Sequence, residues 1–417
     1  MTNYDVIVVG GGPAGLMAAG QAAARRQQVL LIEKMGTPGR KLLLTGKHRC
    51  NLTNTAPIED ALTHFNPGGR FLTQLFYQFY SDELRAFFSD IGIDTVVQRG
   101  GRVFPSSEKA QDVLDALMNW IHSLEVKLKT RSSITGLQIE DNRIKGIETT
   151  TGPYSAPAVI LATGGMAYPG TGSTGDGYRL ADTVGHSINP VLPALVPLET
   201  IGTTAKELQG LSLKNVKACV WTDGKNTAEM FGELLFTHFG ISGPVILTLS
   251  RQIAQALEKK KVVEIQIDLK PALDHKALDD RLMRDIQSLG RKQFNSMLKE
   301  LLPKKLIPIC SNQTGIPGDK KISQISGNDR KKLRSWLKDD FRFIVSDHMG
   351  FGQAIITAGG IDTTEVDPST MQSKLIDGLY FAGEILDIDA DTGGYNLQAA
   401  FSTGWAAGRA VGAASED

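Results

Sequence analysis

The hydrophobic pattern opens on Val6-Ile7-Val8-Val9, an unbroken β-branched run that reads as a strand buried on both faces. Gly10-Gly11-Gly12-Pro13-Ala14-Gly15 follows, then Leu16 to Ala24, a small-residue stretch with the composition of a helix. Val29-Leu30-Leu31-Ile32 is a second buried run and ends on Glu33. Strand, turn, helix and strand fit within about thirty residues, the size of one βαβ unit. Further on, residues 70–92 read as a helix whose aromatics (Phe71, Phe76, Phe79, Phe87, Phe88) build a core, and Glu108 to Leu124 as another. Val126 to Ala162 reads as short strands ending in Ala158-Val159-Ile160-Leu161. Pro190, Pro193 and Pro197 mark a boundary. Beyond it the pattern is strand-like to Asp268, including Val216–Thr222 and Val262–Leu269, with a helix over Val245–Leu257. Lys276–Leu289, Lys292–Leu302 and Asp329–Leu337 then read as charged helices, the last two joined by a loose link through Pro308 and Gly315 to Gly318. Ser242 is the expected cap of the 245–257 helix, with Pro244 in its first turn. Phe341–Val345 returns to strand, Gly378 to Glu384 is a last core strand, and Gly393-Gly394 opens a final helix rich in Ala and Gly.

These elements predict an α/β chain. A Rossmann-like domain is built from residues 1–191 and 347–417. A mainly-β domain at 192–346 is inserted into it, with β parts at 192–270 and 340–346 and a small helical cluster at 271–339. The length of 417 residues agrees, since single cores stop growing well short of it. An apolar fraction of 41% and a charged fraction of 22% are those of a globular protein, and no apolar run approaches the ~20 residues of a membrane span. The first strand begins too early for a signal peptide, so a cytoplasmic protein is expected. Cys50, Cys219 and Cys310 are widely separated and read as reduced thiols, with no metal site. Net charge is zero, yet Ala256 to Arg342 carries 20 Lys and Arg against 12 Asp and Glu. That +8 reads first as a solvated helical surface; a nucleic-acid partner is not expected, because no aromatic-interleaved basic motif accompanies it.

Candidate chemistry starts at the glycine turn. Gly10 permits the tight turn, Gly12 lets backbone approach a pyrophosphate, and Gly15 lets helix and strand pack closely. Pro13 and Ala14 begin a helix whose N-terminal amides favour phosphate. Glu33, 23 positions beyond Gly10, is placed for an adenosine ribose. The segment Lys34 to Asn54 is too rich in Gly, Thr and Asn for regular structure, and its Arg40, Lys41, Arg49, Asn51 and Thr53 suit a polyanionic cofactor. Thr163-Gly164-Gly165 ends a core strand where backbone can approach a ligand, and Ile134 joins the cofactor candidates. A second glycine pattern, Gly170 to Gly177, follows Pro169 instead of a strand and leads to no second carboxylate, so it is no nicotinamide site. Gly383 and Glu384 end the last strand beside the final helix, whose amides at Asn396, Leu397 and Gln398 can face a flavin carbonyl and favour charge on the reduced ring. His238, in Thr237-His238-Phe239-Gly240, and Arg102, in a hairpin before Phe104-Pro105, are the catalytic candidates.

The opening glycine motif, Arg40-Lys41, Arg49-Cys50-Asn51-Leu52-Thr53-Asn54, Phe236 to Pro244 and Thr392-Gly393-Gly394-Tyr395-Asn396-Leu397-Gln398 together resemble the BaiN-like flavoproteins, which include aminoacetone-oxidase-like members. The resemblance covers nearly the whole chain. It implies FAD, a substrate domain in the insertion, and cofactor contacts at Gly10, Gly12, Gly15, Glu33, Arg40, Lys41, Asn51, Glu384 and Asn396. One departure is Gly46-Lys47-His48, where many relatives carry three glycines. The expectation is an FAD-dependent oxidoreductase acting on a small molecule, of amine-oxidase type or linked to a carrier or quinone; oxygen, quinone and NAD(P)H all remain open as electron partners. The alternatives are a reductase of activated C=C bonds and a flavoprotein acting on nucleic acid.

Overall fold

Residues 4–411 of the chain are described, from a computed structural model. They form two compact units, residues 4–193 with 351–411, and residues 194–350.

The first unit is organised on a five-stranded parallel sheet. Its order is Leu379–Phe381, Ala158–Leu161, Val6–Val9 (β1), Val29–Ile32 (β2), Lys127–Lys129. Every residue of β1, β2 and Ala158–Leu161 is buried, as a sheet covered on both faces requires. Helix α1 (Pro13–Ala23) covers one face, with Pro13 at a first-turn position that needs no N–H. The closing helix, Tyr395–Ala410, lies along α1 at backbone distance: a Cβ on Gly404 would strike the Ala14 carbonyl, and one on Gly408 the Ala18 carbonyl. On its other flank, a Cβ on Gly20 would run into the Trp120 ring of helix Ala110–Ser123. Both ends of the chain therefore meet on one small-residue helix.

The aromatic stretch forms two helices where one was expected, Gly69–Phe76 and Ser81–Asp90. Ser81-Asp82-Glu83 restarts the helix, and the Glu83 carboxylate accepts the Tyr80 N–H at 3.1 Å. The rings pack inward, Phe88 edge-on to Phe401 and Phe79 stacked on Trp405.

The second unit contains a closed barrel of six antiparallel strands: Leu198–Thr200, Gly240–Ser242, Lys225–Phe236, Ser212–Thr222, Val263–Asp268 and Arg342–His348 in order around it. Ser242 belongs to a strand and does not cap the next helix; Gly243, at φ 94°, holds that position before Pro244. The expected loose link after residue 302 contains a fourth helix, Leu306–Thr314. Pro308 sits in its first turn, where a missing N–H costs no helical bond, and Gly315 at φ 68° ends it. Burial of Lys338 against Asp268 at 2.6 Å, with the Lys270 and Leu273 carbonyls also accepting, ties the helices to the barrel.

Gly408→Val tests the helix contact on which the first unit rests. We expect about 1–3 kcal/mol of destabilisation from overpacking against backbone, read as a lowered thermal midpoint. An unchanged midpoint would show that the two helices can separate freely.

Candidate cofactor and active site

The turn from β1 to α1 is set by contacts that admit no side chain. Gly10 has φ 107°, and a Cβ there would strike the Ala162 carbonyl; a Cβ on Gly15 would strike the Gly10 carbonyl. Gly12 by contrast has open space where its Cβ would stand. The first helical bond runs from Leu16 N–H to Gly12 O, so the Ala14 and Gly15 amides precede the helical ladder and can bind an anion. Glu33 is buried at the end of β2, accepting the Gly11 N–H at 2.8 Å and the Met35 N–H at 2.7 Å. The carboxylate is thus fixed beside the glycine turn, with lone pairs left for a ribose.

Beyond β2 the expected donors separate into groups. Lys41 pairs with Glu384 at 2.7 Å, half-buried, although 343 positions separate them. The Thr357 N–H donates to the same carboxylate at 2.9 Å. Arg40 is exposed. Lys34 is committed to Asp176 at 2.6 Å, which fastens the second glycine loop to the first. Arg49 is also committed: it bonds Glu108 at 3.1 Å and Gln98 at 3.3 Å and lies 4.3 Å over the Phe104 ring, holding the 95–105 hairpin. Arg49 therefore braces this loop. The Gly46-Lys47-His48 departure keeps a glycine-like backbone, with Lys47 at φ 58° and His48 at φ 67°. Asn51 has a buried Oδ1 with no hydrogen-bond partner.

The other half of the site comes from the late strands. Thr163 follows Ala158–Leu161 with a buried, unpartnered hydroxyl, Gly164 turns at φ 72°, and a Cβ on Gly165 would stand 3.0 Å from Glu384 Oε1. Gly383 turns at φ 80° and donates to Thr403 Oγ1 at 2.9 Å. In the closing helix the Gln398 N–H donates to Gly394 O, so the amides ahead of the ladder are Tyr395, Asn396 and Leu397; Gln398 is removed from the expected set. The Gln398 side chain is fully buried, accepting from Thr53 and donating to Ser402 at 2.8 Å, so both residues hold the loop to the helix. The Asn396 side chain clamps the loop before the helix, bonding Ala390 N–H at 2.9 Å and the Ala390 and Asp391 carbonyls at 2.8 and 3.2 Å. Ile134 begins strand Ile134–Glu140 opposite Thr149.

Two helix N-termini, two carboxylates at strand ends, unfilled space at Gly12 and two buried unpartnered polar atoms fit a long dinucleotide with a polar ring. The catalytic candidates are less engaged. His238 is exposed at the tip between strands Lys225–Phe236 and Gly240–Ser242, its ring against Phe239 at 4.8 Å. Arg102 is exposed and donates to Arg99 O at 3.1 Å within its own hairpin. Two histidines that sequence reasoning missed are better placed. His186 is buried, with Nδ1 on Glu365 at 2.9 Å and Nε2 on Ser373 at 2.7 Å. The Ser373 oxygen accepts the Leu375 and Ile376 amides at 3.0 and 2.9 Å, which makes this row a structural brace and not a nucleophile. His64 pairs with Asp391 at 2.9 Å beside the closing helix. All three cysteines are buried free thiols, and burial pushes Cys50 and Cys310 up to about 12, so neither is a nucleophile.

Fold and site define an FAD-dependent oxidoreductase with a Rossmann-like cofactor domain. A family model described as the HI0933-like protein Rossmann domain matches residues 4–410, and the chain belongs to that family. It is similar to the 3-dehydro-bile acid delta(4,6)-reductase of Clostridium scindens, 34% identical over 97% of this chain and 98% of the relative. It is also similar to the ribosomal RNA dihydrouridine synthase of Escherichia coli, 30% identical over 97% of each. Among solved structures, 3-ketosteroid-delta4-(5alpha)-dehydrogenase of Rhodococcus jostii RHA1 shares the fold with a TM-score of 0.53 and 16% identity, over 98% of this chain and 97% of that one. Among the described residues no helix is long and apolar enough to cross a membrane.

Glu33→Ala removes an acceptor held by two backbone amides; we expect FAD retention to weaken roughly 10- to 100-fold, measured by fluorescence of released flavin. A second expectation concerns His186, which burial holds below its ordinary value of 6.5. The unfolded chain then binds the extra proton, so stability is full above pH 6.5 and falls as pH drops below it. Thermal midpoints between pH 8 and pH 5 should decline for the native chain and flatten in His186→Gln. Parallel slopes would remove His186 as the cause.

Proposed function

We propose that the chain saturates an electron-poor carbon–carbon double bond conjugated to a carbonyl. The observation that carries this reading is the shared chemistry of two full-length relatives with unlike substrates. One is named for reducing bile-acid double bonds and the other for making dihydrouridine, and both names describe addition of two hydrogens across C=C. This favours the second expectation drawn from the sequence over amine oxidation.

When bound, FAD supplies the hydride chemistry. The chain's own residues divide the remaining work. Gly12, Ala14 and Gly15 are suited to the pyrophosphate, and Glu33 to the adenosine ribose. Glu384, oriented by Lys41 and Thr357, is suited to a ribityl hydroxyl. The amides of Tyr395, Asn396 and Leu397, at the positive end of a 16-residue helix, are suited to a ring carbonyl that gains negative charge. Thr163 and Asn51 each keep one buried polar atom for the ligand.

A nucleic-acid substrate for the same reaction has one observation in its favour. The basic excess lies in the 194–350 unit, where Arg291, Lys292, Lys321, Lys331 and Lys332 are exposed and a Gln293–Lys321 bridge joins two of the segments carrying them. An anionic polymer can gather such charges at once.

The test is to reduce the bound flavin under nitrogen and mix it with 4-androstene-3,17-dione, 2-cyclohexen-1-one or a uridine-rich RNA transcript. Return of the flavin band with a saturated product is expected for at least one of them. Oxidation by oxygen alone, with peroxide released and a primary amine as donor, would replace this reading with an oxidase.

A further inference from the structure

Saturation of a conjugated C=C takes one hydride and one proton. The hydride belongs to the cofactor; the proton must come from the chain or through it. We infer that His64, oriented by Asp391, is the group that delivers it, an inference resting on the C=C reading above.

The pair has the geometry of an oriented acid. His64 Nδ1 lies 2.9 Å from Asp391 Oδ2, so with Nδ1–H donating to the carboxylate the second proton of the imidazolium is on Nε2. Nε2 has no protein partner among the described residues, and the side chain is 39% exposed, so this proton is accessible. The ring stacks on Tyr395 at 4.4 Å and 16°. Tyr395 is the first residue of the closing helix, whose leading amides are suited to the ring end of FAD. His64 therefore stands within one side chain of the place where the reacting end of the cofactor is expected. His238 and Arg102 have no comparable arrangement.

A purely structural role explains the contact less well, because the backbone already makes the staple. The Asp391 N–H donates to His64 O at 3.0 Å, the Asn66 N–H to Asp389 O at 2.9 Å, and Phe65 bridges Ala390. Asn396 clamps the Ala390 and Asp391 main chain from the helix side, which fixes the backbone that carries the Asp391 carboxylate. Among the described residues the titratable groups in contact with the imidazole are Asp391 and Tyr395, the latter's phenol pushed up by burial and, next, by the Asp391 and Asp60 carboxylates. A cation at His64 thus faces the Asp391 carboxylate.

The step balances as follows. Hydride arrives at the carbon β to the carbonyl, the π pair moves to the α carbon, and the Nε2–H proton of His64 joins that carbon. Neutral imidazole remains, Asp391 holding its Nδ1–H, and takes a new proton from water before the next turnover.

The experiment uses the full chain loaded with FAD, comparing His64→Gln and Asp391→Asn with the native protein. Reduced flavin is reoxidised by 2-cyclohexen-1-one across pH 5.5–9 under nitrogen. His64→Gln should slow reoxidation roughly 10²- to 10⁴-fold, the usual weight of general acid catalysis, and abolish the fall in rate on the alkaline side. Asp391→Asn should give a smaller loss, with FAD content and thermal midpoint close to native in both. A second readout needs no turnover: diethyl pyrocarbonate labelling of His64, followed by peptide mass spectrometry, should slow at least fivefold when FAD is bound. Equal rates and pH profiles in native and His64→Gln protein, or labelling indifferent to FAD, would overturn the inference while the C=C reading stands. Failure of every enone and RNA to oxidise the native reduced flavin would sink both.

Discussion

Helix α1 has to lie at backbone distance from two neighbours, the turn before it and the closing helix, and the site suited to the cofactor depends on that. Gly15 against the Gly10 carbonyl, Gly404 against Ala14 and Gly408 against Ala18 leave no room for a methyl group. Together with the close approach of Gly10 to Ala162, these contacts bring the opening turn, the strand ending at Leu161 and the closing helix into one cluster. Close packing of small residues supplies dispersion energy but little shape tolerance, so the geometry is fixed. The residues suited to the adenosine half come from the first 33 positions, and Glu384 and the closing-helix amides suited to the ring half from the last 34, with Asn51 and Thr163 supplied from between. The Lys41–Glu384 pair spans the same distance in sequence and closes it electrostatically.

The fold class was legible because its signals are local and periodic. Four-residue apolar runs bounded by turn signals read as buried strands, and a glycine turn and helix between two of them with an acidic residue at the end of the second has few other uses. What the pattern missed is where tertiary partners or chain geometry override composition. Residues 70–92 look continuous because aromatics recur on both sides of Ser81-Asp82-Glu83, and the Glu83 carboxylate on the Tyr80 amide reveals the restart there. Pro308 suggested a loop because a proline's place in a first turn is visible only once the helix start is known. Ser242 was the better cap by composition, yet Gly243 takes the position because the backbone there needs φ 94°.

Site residues divide along the same line. Backbone roles at Gly10, Gly12 and Gly15 could be read from spacing, since a missing Cβ is written directly in the sequence. Side-chain roles could not, because a cation shows no sign of its partner. Arg49 and Lys34 have the composition of phosphate ligands, and only the fold shows that they are tied to Glu108 and Asp176. His64 passed unnoticed for the same reason: Asp391 is 327 positions away, and only the fold makes them neighbours.

That division bears on how one scaffold comes to act on unlike molecules. The relatives named above cover nearly the whole chain at 34% and 30% identity, yet their names describe a steroid-like acid and a ribosomal RNA. If specificity and chemistry shared the same residues, such divergence would require rebuilding the reacting centre each time. Here the groups suited to FAD, and the His64–Asp391 pair, all lie in the unit of residues 4–193 and 351–411. The 194–350 unit contributes a barrel, a charged helical group and the exposed His238. A carbonyl-conjugated double bond presents the same two demands whatever carries it: a hydride donor facing one carbon and a proton donor facing the next. Both can be met by the fixed unit, which leaves the inserted one free to change with the substrate.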